Sequence, residues 1–234
     1  MRLDISIVIW KKEVVDSLRS KGFIFAFFLP ILMGLLYIFG FPSISLAREL
    51  IPFWGFMAIM VMSLSVLPLS IAEEKEKRTL DAVLVSPASK FDFLLGKGLF
   101  GMGSSLIGGI AVIALASLVG ADVSWPQVVL GMIIGTLGFV EIGLLMGILI
   151  PDQSRGKFWT SIILVLFLIL PVFAGTESPI SSVVRYLPSY HLLVCISWSS
   201  NLTISVVPFL SYLMGFDIIT FVLLSIFYRR NWIS

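Results

Sequence analysis

Six long apolar runs, separated by short polar or proline-containing stretches, constrain this chain more than any other feature. A helix needs about 20 mostly apolar residues to cross the hydrocarbon core of a bilayer. The sequence therefore predicts an all-α polytopic membrane protein, in which residues 1–234 form a single transmembrane domain with six spans. The predicted spans cover residues 23–39, 53–72, 99–119, 128–150, 158–174 and 205–228.

The composition excludes a water-soluble globular fold. Of the 234 residues, 58% are hydrophobic and 13% are charged, whereas a soluble domain is nearer half apolar and a quarter charged. A soluble fold of this size has too little interior to bury so much apolar surface. Lipid must therefore solvate much of the chain.

The basic residues predict the orientation of the spans, because cytoplasmic loops of membrane proteins carry an excess of Lys and Arg. With a cytoplasmic N-terminus, only Arg48 and Arg185 lie outside, and the reverse topology inverts this bias. We therefore expect a multi-pass protein of the cell membrane with both termini in the cytoplasm. The basic residues then inside are Arg2, Lys11, Lys12, Arg19, Lys21, Lys75, Lys77, Arg78, Lys90, Lys97, Arg155, Lys157, Arg229 and Arg230.

The sequence pattern of residues 1–21 predicts an amphipathic helix that does not cross the membrane. Apolar residues recur there at three- and four-residue steps, which places them on one helical face. They are Leu3, Ile7, Trp10, Val14 and Leu18, and the opposite face carries Asp4, Lys11, Lys12, Glu13, Asp16 and Arg19. We expect this helix to lie in the membrane interface, because Trp and flanking Lys residues suit that location. Packing on a soluble partner is the alternative.

Residues 175–204 form the only long external stretch in this topology. Pro179 and Pro188 interrupt its apolar residues, so the stretch cannot form a continuous span. We expect one or two short helices at the outer surface, before the sixth span.

Motifs for catalysis and cofactor binding are missing from the sequence. It has no Gly-x-x-x-x-Gly-Lys-Ser/Thr loop for phosphate. His191 and Cys195 are each the only residue of their type, which argues against a metal site and against a Ser-His-Asp triad. We expect a chain that is not an enzyme and that binds no cofactor, metal or nucleic acid.

The stretch between spans two and three predicts a short cytoplasmic helix over residues 79–86. Thr79 can cap its N-terminus, and Pro87 ends it. Apolar side chains fall on one face at helical spacing; they are Leu80, Val83 and Leu84. A helix this short is unstable alone in water, so the apolar face needs a partner surface, either lipid headgroups or another protein.

Residues 74–97 resemble the signature of the ABC type-2 transporter permeases. The signature contains a Glu, a Thr-Leu, a Leu-Leu pair, a Ser/Thr-Pro-Val/Ala-Ser and a Gly-Lys. In this sequence it reads Glu74, then Lys77-Arg78-Thr79-Leu80-Asp81-Ala82-Val83-Leu84-Val85-Ser86-Pro87-Ala88-Ser89, then Leu94-Leu95-Gly96-Lys97. The order of the N-terminal helix, the six spans and the broken outer helices agrees as well. One departure is Lys77-Arg78, where a glycine often precedes the threonine.

This resemblance implies the membrane subunit of an ATP-driven exporter. Such a subunit pairs with a second permease copy and with two ATP-binding subunits, which hold the ATP and Mg. The helix at residues 79–86 would be the coupling helix that contacts those subunits. The coupling residues that the resemblance implies are Glu74, Thr79, Leu80, Val83, Leu84 and Pro87.

Two acidic residues lie inside predicted spans, Glu141 in the fourth and Asp217 in the sixth. The helical rise places both near mid-membrane, where a carboxylate must face protein or water or stay protonated. Either they line a translocation path or a proton-linked site, or they are neutral acids bonded to neighbouring helices. The alternative function is accordingly a secondary transporter or channel with ion coupling through both acids. An intramembrane enzyme, the third class, lacks a paired catalytic motif.

Small residues recur every four positions in the third and fourth spans, which lets helix backbones approach closely. They are Gly101, Ser105 and Gly109, Gly131 with Gly135, and Gly143 with Gly147. We expect them to serve packing within the chain more than packing between two chains.

Overall fold

The computed structural model describes residues 3–40, 44–79, 89–118, 120, 123–175, 177, 179–197 and 207–230. Within these ranges the chain is almost entirely helical and has no β-strand. The helices are α1 Leu3–Arg19, α2 Lys21–Gly40, α3 Ile44–Val61, α4 Leu67–Glu76, α5 Lys90–Leu118, α6 Trp125–Leu149, α7 Gln153–Ile169, α8 Ile180–Val184, α9 Pro188–Ile196 and α10 Val207–Tyr228. A π-helical turn, Met62–Val66, joins α3 to α4, and a 3-10 turn, Leu170–Gly175, extends α7.

Six helical segments in the described ranges are long and apolar enough to cross a bilayer, which confirms the predicted all-α, six-span architecture. The second combines α3, the π-helical turn and α4, and the fifth combines α7 with the 3-10 turn. The six are Lys21–Gly40, Leu50–Glu76, Lys90–Leu118, Trp125–Leu149, Gln153–Gly175 and Val207–Tyr228.

Several of these helices extend past the apolar runs into charged sequence. The third begins at Lys90, well before the predicted residue 99, and the second continues to Glu76, past residue 72. The fifth begins at Gln153, before residue 158. Apolar length indicates that a segment spans, but it does not indicate where the helix begins, because charged residues with partners can continue it.

Side-chain caps decide two of these helix starts. Ser89 and Asp92 form a capping box: the Asp92 N–H donates to Ser89 Oγ at 3.0 Å, and the Ser89 N–H donates to Asp92 Oδ2 at 3.1 Å. Asp152 caps α7 by accepting the Arg155 N–H at 2.8 Å. Both caps pair backbone donors that a helix N-terminus leaves free.

The second, third and fourth spans form the centre of the fold, and the other three lie around them. In an apolar stretch of 18 residues from each span, between 50% and 61% of the residues are buried in the central spans, against 11% to 17% in the first, fifth and sixth. The central core includes Phe56, Ile59, Met132, Phe139 and Leu192. The first, fifth and sixth spans therefore leave most of their apolar surface to lipid or to another protein.

The predicted ridges of small residues pack against other helices of the same chain, as expected. A Cβ added at Gly143 would lie 2.1 Å from the Ser63 carbonyl oxygen, and one at Gly109 would lie 2.3 Å from Met132 Cε. At Gly143 the helix backbones approach more closely than a Cβ allows, whereas at Gly109 the near atom is the end of a flexible side chain. The remaining contacts of this kind join Gly101 to Leu67, Gly131 to Cys195, Gly135 to Leu192 and Gly147 to Ile71.

Two short helices, α8 and α9, occupy the stretch for which one or two were predicted. Pro179 precedes α8 and Pro188 begins α9, as suits a residue without a backbone N–H. α9 does not lie along the surface, because Leu192 and Cys195 are fully buried and fit against α6. It is part of the core.

α1 is helical as predicted, but its buried face is not the apolar stripe. Ser6, Ile9 and Glu13 are buried, whereas Ile7 and Leu18 are exposed. Glu13, on the polar side of the predicted amphipathic pattern, is buried because it has a partner on α5, Lys97, that helical periodicity cannot reveal.

The predicted coupling helix over residues 79–86 lies outside the described residues apart from Thr79. The places of Leu80, Val83, Leu84 and Pro87 accordingly stay predictions.

Candidate functional site

Four charged side chains from three helices form a group that we name the charge cluster: Lys12 and Glu13 of α1, Glu74 of α4 and Lys97 of α5. Glu13, Glu74 and Lys97 are buried, whereas Lys12 is about half exposed. Lys97 Nζ lies 2.7 Å from Glu13 Oε2 and 3.3 Å from Glu74 Oε1. Lys12 Nζ lies 2.6 Å from the same Glu74 oxygen. Two positive and two negative charges balance within the cluster, and Lys12 provides one of the positive charges from its exposed edge.

Lys97 is the centre of the charge cluster, and its side chain is only 1% exposed. Besides the two carboxylates, its ammonium contacts Ser70 Oγ at 3.3 Å and lies 5.5 Å from the Phe93 ring centroid. A buried ammonium is tolerated only with partners of this kind. Removing one carboxylate would therefore leave an expensive, poorly compensated charge.

Gly96 explains how α1 comes close enough to reach Lys97. A Cβ at this position would lie 2.7 Å from Ile9 Cγ2 and 2.9 Å from the Ser6 carbonyl oxygen. Any larger residue would push α1 away from α5. The adjacent Gly96 and Lys97 thus combine a close helix contact with the charge that holds it.

The surroundings influence the charge state of both α1 members of the cluster. Burial raises the pKa of Glu13 above its ordinary value of 4.5, although the Lys97 ammonium opposes this effect. Burial also disfavours charged Lys12, but its hydrogen bond to Glu74 and the surrounding carboxylates raise the pKa of Lys12 above the ordinary 10.5. Glu13 therefore depends on Lys97 for its negative charge.

The charged run that ends α4 also holds the end of α6. Lys75 Nζ donates to the carbonyl oxygens of Gly147 and Ile148, each at 2.6 Å, and of Ile150 at 3.0 Å. The last carbonyls of a helix have no partner within the helix, and a lysine can satisfy them. Lys75 therefore joins the second span to the fourth.

Two glutamates of the same run hold the turn between α6 and α7. Glu76 Oε2 accepts the Gln153 N–H at 3.0 Å, and Glu73 Oε2 accepts from Gln153 Nε2 at 3.2 Å. All four residues from Glu73 to Glu76 thus contact other parts of the fold. Glu73 and Glu76 contact Gln153, Glu74 contacts Lys12 and Lys97, and Lys75 contacts the end of α6. The run is a structural junction between α4, α1, α5 and the α6–α7 turn.

Residues 80–88 connect α4 to α5, and the charge cluster joins these two helices. On one side, Thr79 Oγ1 donates to the Glu74 carbonyl oxygen at 3.2 Å. On the other side, the capping box at Ser89 begins α5. The contact between Glu74 and Lys97 links the two helices directly. Glu74 and Thr79 are thus the predicted coupling residues that the structure places, and they lie at the base of this segment.

Arg78 occupies a backbone conformation that favours glycine. Its φ is 55°, in the left-handed region, and it follows the last residues of α4. Helices commonly end with glycine in this conformation, because a Cβ is strained there. At the departure from the permease signature, Lys77-Arg78, a residue with a Cβ therefore adopts a conformation that glycine favours.

Glu141 and Asp217 lie together in the contact between α6 and α10. Both are buried, and Thr220 Oγ1 donates to Glu141 Oε2. Gly138 makes room for the second acid, since a Cβ there would lie 2.3 Å from Asp217 Oδ1. Leu213, Asp217 and Thr220 are the buried residues of α10. Phe209, Leu210 and Phe216 are partly buried and pack against the central core, so the two polar side chains lie within a mainly apolar contact.

This arrangement allows two roles for the acids. Polar side chains can hold spanning helices together, and Thr220 and Gly138 provide that kind of fit. A buried carboxyl pair can also hold a proton or a cation. Which role applies stays a prediction.

A cavity of about 580 Å³ opens beside the charge cluster, between α1, α2 and the second span. Its wall is polar near Asp16, Glu73 and Lys77 and apolar near Phe23 and Leu69. The volume falls within the range of about 300–1,000 Å³ that is usual for small-molecule sites. Glu141 and Asp217 do not line it, so the acids and this cavity are separate features.

The sequence analysis used Lys12, Lys75 and Lys97 for the topology and put Glu13 on a polar helix face, but it predicted no ion pair for any of them. One signal was available for Lys97: a lysine next to glycine within an apolar helix has to find a partner. Nothing in the sequence pointed to Glu13 as that partner.

The comparison with known proteins agrees with this architecture. The sequence model described as ABC-2 family transporter protein matches residues 42–226, which is most of the chain. None of the curated proteins matches it. The six spans, the signature around Glu74 and Lys97, and this match together show that the chain is a multi-pass membrane protein belonging to the ABC-2 family of transporter proteins.

Proposed function

We propose that this chain is the permease subunit of an ATP-driven exporter, and that separate subunits bind and hydrolyse the ATP with Mg. The observation that carries this proposal is the charge cluster, which braces both ends of residues 80–88. Membership of the ABC-2 family supports an ATP-binding partner. The charge cluster would transmit a movement of that partner from residues 80–88 to the spans.

In this mechanism, Leu80, Val83 and Leu84 insert into a groove on the ATP-binding subunit. When ATP draws two such subunits together, residues 80–88 move with them as a largely rigid lever. The contact between Glu74 and Lys97 carries the motion to the second and third spans, and Glu13 carries it to α1. Lys75 extends the same connection to the end of α6.

The proposed orientation in the cell membrane rests on the basic residues and has both termini on the cytoplasmic side. Single cysteines test it, in a Cys195→Ser background that keeps the size of the buried side chain. A cysteine at Ser89 should react with a membrane-impermeant reagent only from the cytoplasmic side, and one at Ser178 only from outside. Labelling of Ser178 from the cytoplasm alone would contradict the topology.

The complex should contain two copies of this permease and two ATP-binding subunits. The exposed surfaces of the first, fifth and sixth spans leave room for a second copy. A mass measurement of the purified complex checks the number. A transport-competent complex with one permease copy would refute it.

The coupling role is tested by co-purification of the ATP-binding subunit with Leu84→Asp. Burying a leucine side chain contributes roughly 1.5–3 kcal/mol, and the aspartate would also lose solvation. The affinity should fall at least about tenfold, since about 1.4 kcal/mol corresponds to that factor. Val85→Asp is the matched control, because helical spacing puts residue 85 on the opposite face.

If residues 80–84 rest on lipid headgroups instead, Leu84→Asp should weaken membrane contact but leave the complex intact. Equal recovery of the partner with wild type and Leu84→Asp, together with equal transport, would remove this helix from the mechanism.

A secondary transporter or channel is the second candidate, and the adjacency of Glu141 and Asp217 is the observation that favours it. In that case transport would follow an ion gradient without ATP. Transport by reconstituted vesicles, with and without ATP, distinguishes the two functions.

A further inference from the structure

An apolar groove runs between α1, α2 and α5. Its volume is about 190 Å³. α1 contributes Trp10, Val14 and Leu18, and α2 contributes aromatic residues that include Phe23 and Phe28. The groove uses the apolar stripe of α1, which the fold leaves exposed.

The floor of the groove is open at Gly103 of α5, where an added Cβ would meet no atom within 4 Å. This differs from the glycines of the core, which contact neighbouring helices. The Phe23 ring packs against Phe27 and Phe100, with centroids 5.8 and 5.6 Å apart, and forms an aromatic wall. The volume is below the range of about 300–1,000 Å³ for drug-sized ligands, so a slender apolar chain fits better.

Two lysines precede lining residues of the groove by one helical turn, Lys11 before Val14 and Lys21 before Ile24. Residues at this spacing are neighbours on a helix surface, so Lys11 lies where the polar side of α1 borders the apolar stripe. Both are exposed. Lys12 differs, because it points to the charge cluster and pairs with Glu74. The groove thus combines an apolar slot with positive charge at its edge.

We propose that this groove binds one acyl chain of an anionic glycerophospholipid, with the lipid phosphate near Lys11 and Lys21. Lysine side chains lay their apolar stems along such surfaces and present the ammonium at headgroup level. Anionic lipids attract basic residues at the membrane surface. The bound lipid fills the gap between α1 and the first span, so both the lipid and the ion pair of Glu13 with Lys97 hold α1 in place.

The test measures lipid retention by the purified full-length chain. Wild type and variants are delipidated by detergent exchange and titrated with dioleoyl phosphatidylglycerol or dioleoyl phosphatidylcholine, and native mass spectrometry counts the bound lipids. Gly103→Leu fills the groove. Gly215→Leu is the matched control, because Gly215 is also a spanning-helix glycine with nothing near its Cβ position.

We expect wild type and Gly215→Leu to retain one phosphatidylglycerol per chain in preference to phosphatidylcholine. Gly103→Leu should bind it at least about tenfold more weakly, the loss expected when about two buried methylene groups are displaced. The double variant Lys11→Gln/Lys21→Gln, whose positions are exposed and do not challenge folding, should lose the preference for phosphatidylglycerol. Equal binding by wild type and Gly103→Leu, or equal retention of both lipids by wild type, would overturn the proposal.

Discussion

Lys97 of α5 and Glu13 of α1 form a buried ion pair, with 2.7 Å between Nζ and Oε2. The side chains are 1% and 5% exposed, so water cannot replace either partner. This pair attaches the N-terminal helix to the third span. Because Lys97 also contacts Glu74, the same pair influences the base of the segment proposed to couple ATP to transport.

Breaking this pair from one side should be costly. We expect Lys97→Met and Glu13→Gln each to destabilise the protein by about 3–5 kcal/mol, because each leaves a buried charge with too few partners. The double variant should lose less than the sum of the single losses, since neither charge then remains. Thermal unfolding in detergent measures the cycle, and exposed Lys157→Met is the control. Additive losses would contradict a direct pair.

The Lys97→Met variant should also become sensitive to pH. Burial raises the pKa of Glu13 above its ordinary value of 4.5, so the folded chain holds this proton at a pH where the unfolded chain releases it. Stability from Glu13 is therefore lost as the pH rises above about 4.5. Lys97 opposes this loss in wild type, so stability should decrease more steeply between about pH 4.5 and neutrality in Lys97→Met than in wild type.

Arg78→Gly should stabilise the protein. The left-handed conformation costs a residue with a Cβ about 1–2 kcal/mol, and glycine adopts it without that strain, although glycine loses more chain entropy on folding. We expect a net gain of about 1 kcal/mol in unfolding free energy. Lys77→Gly is the matched control, because Lys77 has a φ of −79° and glycine there should destabilise. A loss of stability in Arg78→Gly would show that the Arg78 side chain has an important contact.

Gly143→Ala should destabilise the chain, because the new methyl group would meet the Ser63 carbonyl oxygen. Backbone cannot move aside as a side chain can, so we expect a loss of about 1–3 kcal/mol. Gly215→Ala, at an open position of α10, should be neutral or gain up to about 1 kcal/mol from helix propensity. Equal melting temperatures of the two variants would contradict the close approach of α6 to the π-helical turn.

Glu141→Gln should reduce transport while the complex stays assembled, because the change keeps the shape and removes only the charge. Thr220→Val separates this role from packing, since it removes the hydroxyl that donates to Glu141 and should mainly lower stability. The measurement is transport by reconstituted complexes across a range of pH. Co-purification of the subunits shows whether the complex is assembled. Unchanged transport by Glu141→Gln at every pH would favour a purely structural acid.

Much of the architecture was already decided by local sequence. Six apolar runs predicted six spans, because an apolar segment of that length has few stable positions other than across a bilayer. The permease signature pointed to Glu74 and Thr79, and both lie where residues 80–88 begin. Pro179 and Pro188 predicted the short helices between the fifth and sixth spans, since a residue without a backbone N–H suits the start of a helix better than its interior.

The tertiary structure alone decided how charged residues inside or beside these helices are paired. Glu13 belongs to the polar side of an amphipathic pattern, yet Gly96 brings α1 close enough for it to reach Lys97. Glu141 and Asp217 are in different spans, and only the packing of α6 on α10 brings them together. Hydrophobic periodicity is a property of one helix, so it can predict that a segment spans, whereas the partner of a buried charge depends on helices distant in sequence.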